Sequence, residues 1–128
     1  MHVPFPERYT FPKSERLISK KTIEQLFKQG KSTFIYPFKI LYIPLDQPTK
    51  DCPQILISVS RRNFKHAVDR NLIKRRIREV HRLRKKSLCD SEGHYKIMCL
   101  GIVYVAKEKI PFEILEEKLV AIFKRLRK

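Results

Sequence analysis

Cations recur at helical spacing along residues 67–86, a stretch with neither glycine nor proline to interrupt a helix. When this stretch is wound as an α-helix, at about 100° per residue, most of its polar side chains fall within one sector of roughly 140°. These are Arg70, Asn71, Lys74, Arg75, Arg78, His81, Arg82 and Lys85. Like charges four residues apart destabilise an isolated helix, so folding alone does not favour the pattern. Guanidinium and ammonium groups bind phosphate, and the face is therefore predicted to bind nucleic acid, the alternative being a solvated basic surface.

The opposite arc of this helix is apolar and is predicted to pack against a core. Its members are Val68, Leu72, Ile73, Ile77, Val80 and Leu83. Arg76 and Arg84 fall inside the arc, so either this apolar face is imperfect or their stems cover apolar surface while the charged ends reach water. The basic pair Arg61 and Arg62 precedes the helix, and Asn63 is a candidate cap.

Acidic side chains are too dispersed to form a protein nuclease site. Such a site needs clustered carboxylates that hold metal ions, or a His or Lys acid–base pair. Asp69 and Glu79 flank the basic sector and are expected to reduce its net positive charge. The sequence therefore predicts no catalytic residue in the polypeptide.

A short first helix is predicted near the N-terminus. Ser19 is a good N-cap and Gly30 a good stop. Between them, Ile23, Leu26 and Phe27 form one apolar face at helical spacing. Packing in the core is the simplest role for Phe27.

Period-two patterns predict strands over residues 31–45, divided at Pro37, and over 54–60. Phe38, Ile40 and Tyr42 share one strand face. The apolar run 97–106 predicts a buried fourth strand in which Gly101 marks a bulge or a close approach, and 112–127 a last helix. The order α-β-β-β-α-β-α predicts an α/β sandwich with a four-stranded sheet. Residues 14–128 are expected to form one RNA-binding domain, and the proline-rich residues 1–13 an extended arm.

Composition favours the same class of partner. The chain has 128 residues with 29 Lys and Arg against 13 acidic residues, a net charge of +16. Nucleic acid is the first expected partner and an anionic membrane surface the second, although no apolar run is long enough to span a bilayer. Without a signal core or a close cysteine pair, a cytoplasmic protein with free thiols is expected. Cys89, His94 and His81 lack zinc-ligand spacing, so no protein-bound metal is expected.

The basic stretch carries a family resemblance. Residues 67–79, A-V-D-R-N-L-I-K-R-R-I-R-E, resemble the signature of the bacterial ribonuclease P protein subunit. Residues 58–62, S-V-S-R-R, resemble the strand that ends in a basic pair in that family. The signature has an Arg-Asn-Arg triplet, and Leu72 stands at its third position. The matching residues are Arg70, Asn71, Lys74, Arg75 and Arg78.

The resemblance implies that an RNA subunit carries the chemistry, with Mg²⁺ expected for the reaction. The protein would bind that RNA and the 5′ leader of precursor tRNA. The residues implied for RNA binding are Arg61, Arg62, Arg70, Asn71, Lys74, Arg75, Arg78 and Arg82. Those implied for a leader-binding cleft are Phe27, Phe38 and Tyr42, with Asn71, Arg75 and Arg78 at its rim. A left-handed crossover from the third strand to the fourth is also implied, against the usual right-handed rule.

Two other functions stay open on the residues alone. A ribosomal-protein-like module that docks on structured RNA would share the charge and the helix. A protein that binds anionic membranes would share only the charge. By itself the polypeptide is expected to be a monomer, with ribonuclease P RNA and precursor tRNA as its partners and no membrane contact.

Overall fold

The computed structural model describes residues 15–17 and 19–127. Helix α1 (Lys20–Gln29) begins at Ser19, whose hydroxyl oxygen accepts a hydrogen bond from the Thr22 amide at 3.4 Å. It ends at Gly30, whose amide donates to the Leu26 carbonyl at 3.0 Å. Both predicted caps are confirmed. The predicted arm over residues 1–13 lies outside the described residues.

Four strands form one mixed sheet. They are β1 (Lys31–Ile35), β2 (Phe38–Thr49), β3 (Gln54–Val59) and β4 (Tyr95–Tyr104), in the spatial order β1-β2-β4-β3. β4 pairs antiparallel with β2 and parallel with β3, so the apolar run is central, as predicted. The register between β2 and β4 shifts after Ile43. Because of this shift, the alternation of side chains along β4 changes phase there, and residues that would otherwise face one helix layer face the other.

The basic stretch forms helix α2 (Ala67–Arg84), followed by a 3-10 turn at Lys85–Leu88. Because α2 joins the parallel strands β3 and β4, it forms a β-α-β crossover, whose left-handed sense stays a prediction from the resemblance. α2 begins after His66, so the proposed cap at Asn63 is wrong. The Asn63 amide instead donates to the Val105 carbonyl at 3.4 Å, which ties the loop to the end of β4.

Helices cover both faces of the sheet and give the predicted sandwich three layers. The larger apolar cluster joins one face to α2 and to α3 (Phe112–Leu126), through residues such as Ile40, Ile73, Ile102 and Leu119. The smaller cluster joins α1 to the other face through Leu17, Leu26, Leu41 and Cys99. Among the described helices, α1 is the one that packs on this face, and part of the face, including Phe34 and Lys39, stays exposed.

Candidate nucleic-acid interface

The middle of α2 presents cations that other described residues do not neutralise. Arg75 and Arg78 are exposed, as is Asn71, and Lys74 is half-buried. Within residues 15–17 and 19–127, the side chains of Lys74, Arg75 and Arg78 form no hydrogen bond or ion pair. The described residues therefore leave their mutual repulsion unrelieved, and a polyanion would relieve it.

Arg70 and Arg82, two members of the predicted basic sector, have internal partners. The Arg70 guanidinium donates to the carbonyls of Phe64 and Lys65 at 2.8 and 3.0 Å, and so holds the loop before α2. Arg82 donates through Nε to Glu79 at 3.0 Å, and this contact keeps the pKa of Glu79 below its usual range. Arg70 and Arg82 therefore shape the helix, and their availability to RNA is smaller than that of the middle residues.

Two members of the predicted basic sector point inward. His81 is fully buried and Lys85 is only 5% exposed. The Lys85 ammonium donates to both carboxylate oxygens of Glu15, at 3.0 and 3.1 Å. The helical sector is therefore not a continuous RNA face, because Glu15 compensates the buried cation.

The arginines predicted to snorkel make defined contacts instead. Arg76 donates to the Ile110 carbonyl at 2.9 Å. Arg84 donates to Glu116 of α3, also at 2.9 Å. These contacts fix α2 against α3 and the loop that precedes it, and so they orient the exposed cations. Arg61 and Arg62, directly after β3, are exposed.

The three predicted cleft aromatics do not form one cleft. Phe27 of α1 is 53% exposed, which rules out the simpler alternative of a core position for this ring. Phe38 is fully buried and packs edge-to-face on Tyr104, with ring centroids 5.9 Å apart. Phe38 also lies in the cluster beneath α2 and α3, on the sheet face opposite α1. The assignment of Phe38 to an exposed cleft is therefore wrong.

Tyr42 also packs on the α2 and α3 side, where it lines a different cavity. This cavity, about 410 Å³, is bordered by Lys31, Lys96 and Arg125. Arg125 donates to the Thr33 hydroxyl at 2.8 Å across it. Tyr42 is thus separated from Phe27 by the sheet, and the two do not share a cleft.

The α1 face has an uncovered strip that the sequence analysis missed. In the strand register, Phe34 pairs with Lys39, Lys39 with Val103, and Ser58 with Val103. Phe34 is 56% exposed, Lys39 is exposed, and Ser58 and Val103 are half-buried. The next row of the sheet, with Leu41 and Gly101, is the one that Leu26 of α1 covers.

This strip leads toward the basic helix. It ends at Ser58 on the edge strand β3, which contacts α2, and Arg61 follows β3 by two residues. An alternation of Lys39 with the apolar residues of β2 was the available signal, but its face could not be assigned without knowing where α1 packs. The strip therefore offers an aromatic, a cation and a hydroxyl on one exposed surface.

Acidic groups near the basic helix are engaged by cations. Asp69 accepts an ion pair from Lys109 at 2.7 Å, and this hydrogen bond holds the pKa of Asp69 below its ordinary value. Glu116 is paired with Arg84.

None of the helices in the described ranges is long and apolar enough to cross a bilayer.

Comparison with known proteins gives one consistent family. A family model described as Ribonuclease P matches residues 11–127. A ribonuclease P protein component from Porphyromonas gingivalis is 31% identical over 106 residues, which cover 83% of this chain and 77% of that protein. The corresponding protein from Chlorobium phaeobacteroides is 31% identical over 127 residues, covering 90% and 86% of the two chains.

Solved structures agree with the fold. The ribonuclease P protein from Thermotoga maritima superposes with a TM-score of 0.68 at 28% identity, covering 87% of this chain and 96% of that one. A Staphylococcus aureus ribonuclease P protein, at 24% identity, has the same TM-score and shares the fold.

Proposed function

The chain belongs to the ribonuclease P protein family, and from this premise we propose which of its surfaces bind RNA and where the chemistry resides. As a protein component of ribonuclease P, it takes part in tRNA 5′ processing. We propose that it binds the catalytic RNA through α2 and the 5′ leader of precursor tRNA through the face that carries α1. This complex would work in the cytoplasm.

The observation that carries the proposal is a set of cations on α2 that pair with no residue in the described part of the chain. Lys74, Arg75 and Arg78 present three positive charges over little more than one helical turn, with Asn71 beside them. A phosphate backbone matches this spacing of charges and gains affinity by releasing condensed counterions. Arg61 and Arg62 extend the same surface. Arg70 and Arg82 contribute mainly by holding α2 and its loop in place.

For the leader, the proposed surface is Phe27 together with the uncovered strip. Single-stranded RNA is bound by stacking of its bases on aromatic rings while cations follow its phosphates. Phe27 and Phe34 offer exposed rings, Lys39 a cation and Ser58 a hydroxyl. This set replaces Phe38 and Tyr42, whose rings lie on the other side of the sheet. The strip ends on the edge strand β3, which contacts α2, the helix that carries the predicted rim residues Arg75 and Arg78.

The catalytic step is assigned to the RNA subunit. The acidic residues that flank the basic helix form ion pairs with Lys109, Arg82 and Arg84. Carboxylates paired in this way reduce the local positive charge and do not form the carboxylate pair that binds catalytic metal ions. Mg²⁺ would accompany the RNA, whose phosphates attract it, since the exposed face of the protein is cationic. The protein would then lower the repulsion between two polyanions.

Reconstitution tests this proposal. The protein is added to a ribonuclease P catalytic RNA and precursor tRNA at low magnesium, and 5′ maturation is measured. We expect cleavage to be restored by the wild-type protein and impaired when Lys74, Arg75 and Arg78 are all changed to Gln. Maturation that is equally well supported by this triple variant would contradict the proposed RNA face.

A charge-matched variant provides the control. Lys107, Lys118 and Lys124 lie in the loop before α3 and on α3, and their replacement by Gln removes the same net charge. Long-range attraction depends on net charge, whereas a specific face depends on position. We therefore expect the control to support maturation nearly as well as wild type.

A further inference from the structure

Three side chains of the types that ligate metals meet near the C-terminal end of α2. They come from distant parts of the chain: Glu15 precedes α1, Cys52 lies between β2 and β3, and His81 is in the last turns of α2. One ligand atom from each lies within 4.8 Å of the other two. The His81 Nε2 and Glu15 Oε1 atoms are 3.8 Å apart.

The donor set has a defined chemistry. A thiolate sulfur, an imidazole nitrogen and a carboxylate oxygen are the three ligand types that zinc uses in proteins. Softer sulfur and nitrogen donors disfavour Mg²⁺ and Ca²⁺, which prefer oxygen. Three protein ligands leave one position of a tetrahedron for water. We propose that Glu15, Cys52 and His81 form a binding site for Zn²⁺ or a similar divalent transition metal.

One ligand pair has the spacing of a tetrahedral zinc site, and the others, within 4.8 Å of one another, must contract to reach it. Ligand bonds of about 2.0–2.3 Å to zinc place ligand atoms roughly 3.3–3.8 Å apart. The pair formed by His81 and Glu15 is already at 3.8 Å. The remaining movement is assigned to the side chain of Cys52, which lies between β2 and β3.

Lys85 competes for the same carboxylate. Its ammonium is 3.0 Å from Glu15 Oε1 and carries the charge that a metal would otherwise carry there. A cavity of about 720 Å³ reaches Glu15, Cys52 and Lys85 from the surface. An ion can therefore reach Glu15 and Cys52 from this cavity, and the Lys85 ammonium has space to withdraw, whereas His81 is fully buried and does not line it. Metal binding forms a bond to the Cys52 sulfur and releases the thiol proton to solvent.

Cobalt provides a direct test because a Co²⁺–thiolate bond has its own near-ultraviolet absorption. Reduced, chelator-treated full-length protein is titrated with Co²⁺, and then with Zn²⁺. We expect one cobalt per chain, a thiolate-to-cobalt band, and loss of that band as zinc displaces cobalt. Zinc should also raise the thermal unfolding midpoint. Absence of a saturable band with a 1:1 stoichiometry would overturn the site.

Matched variants identify the ligands. Cys52→Ser should abolish the band, and Cys89→Ser, a thiol outside the cluster, should keep it. Glu15→Asp preserves the charge opposite Lys85 but withdraws the ligand oxygen by one methylene. The affinity for Co²⁺ should therefore fall by about tenfold or more, since even the loss of an outer-shell partner lowers metal affinity by about 10–100-fold. His66→Gln removes an exposed imidazole and should leave binding unchanged. A band that survives Cys52→Ser, or that is lost in Cys89→Ser instead, would refute the assignment.

Discussion

Leu26 of α1 packs directly over Gly101 of β4, so closely that a Cβ at position 101 would lie 3.0 Å from its Cδ2 atom. Leu26 is fully buried, and Gly101 lies between Leu41 and Leu56 in the sheet register. The absence of a side chain at 101 therefore sets how closely α1 approaches the sheet. The distance between α1 and the sheet in turn determines the position of Phe27, the next residue of the helix.

Enlarging residue 101 should displace α1. Gly101→Val is expected to lower the free energy of unfolding by about 1–3 kcal/mol, because extra methyl groups overpack the contact with Leu26. Chemical denaturation measures this loss. The double variant with Leu26→Ala should show coupling of at least about 0.5 kcal/mol. Strict additivity of the two single effects would mean that the side chains do not meet.

Salt dependence should report the phosphate contacts of α2. Affinity for the catalytic RNA is expected to fall steeply with salt, since bound phosphates release counterions. Changing Lys74, Arg75 and Arg78 to Gln should flatten the log–log slope by roughly two to three units. Filter binding over a salt series measures it. The Lys107, Lys118 and Lys124 variant should keep the wild-type slope, and an equal change in both variants would indicate nonspecific attraction.

Phe27 and Phe38 should respond to substitution in opposite ways. Phe27 is half-exposed, so Phe27→Leu is expected to preserve stability and to weaken leader-bearing substrate by about 1–3 kcal/mol, the usual contribution of one stacked base. Mature tRNA should bind as before. Phe38→Leu removes a buried ring and should lower the thermal midpoint. If Phe27→Leu weakens both RNAs equally, the ring does not contact the leader.

The buried pair of Glu15 and Lys85 should stabilise the chain before α1. Burial alone would raise the pKa of Glu15, but the neighbouring His81 and the hydrogen-bonded ammonium of Lys85 outweigh it and hold that pKa below its usual range. Glu15→Gln leaves the buried ammonium uncompensated, and we expect a loss of about 3 kcal/mol in denaturant unfolding. Lys85→Met with Glu15→Gln should recover part of the loss. A single variant as stable as wild type would show that the pair is not buried in solution.

Local sequence determined the elements of this protein. Caps at Ser19 and Gly30 act within one helical turn, and strand and helix periods are read over neighbouring residues, so the order of elements was predicted correctly. The family signature lies within α2 and the end of β3, and for this reason the sequence also identified the family. The exposed middle of α2 followed from the helical period.

Tertiary structure decided which side chains reach the surface. A period of two assigns Phe38 and Lys39 of β2 to opposite faces, but only the packing of α1, α2 and α3 decides which face is covered. The helical sector likewise counted Lys85 as exposed, because its partner Glu15 is 70 positions away in the chain. Burial and ion pairing depend on contacts between distant residues, and periodicity within one element carries no information about them.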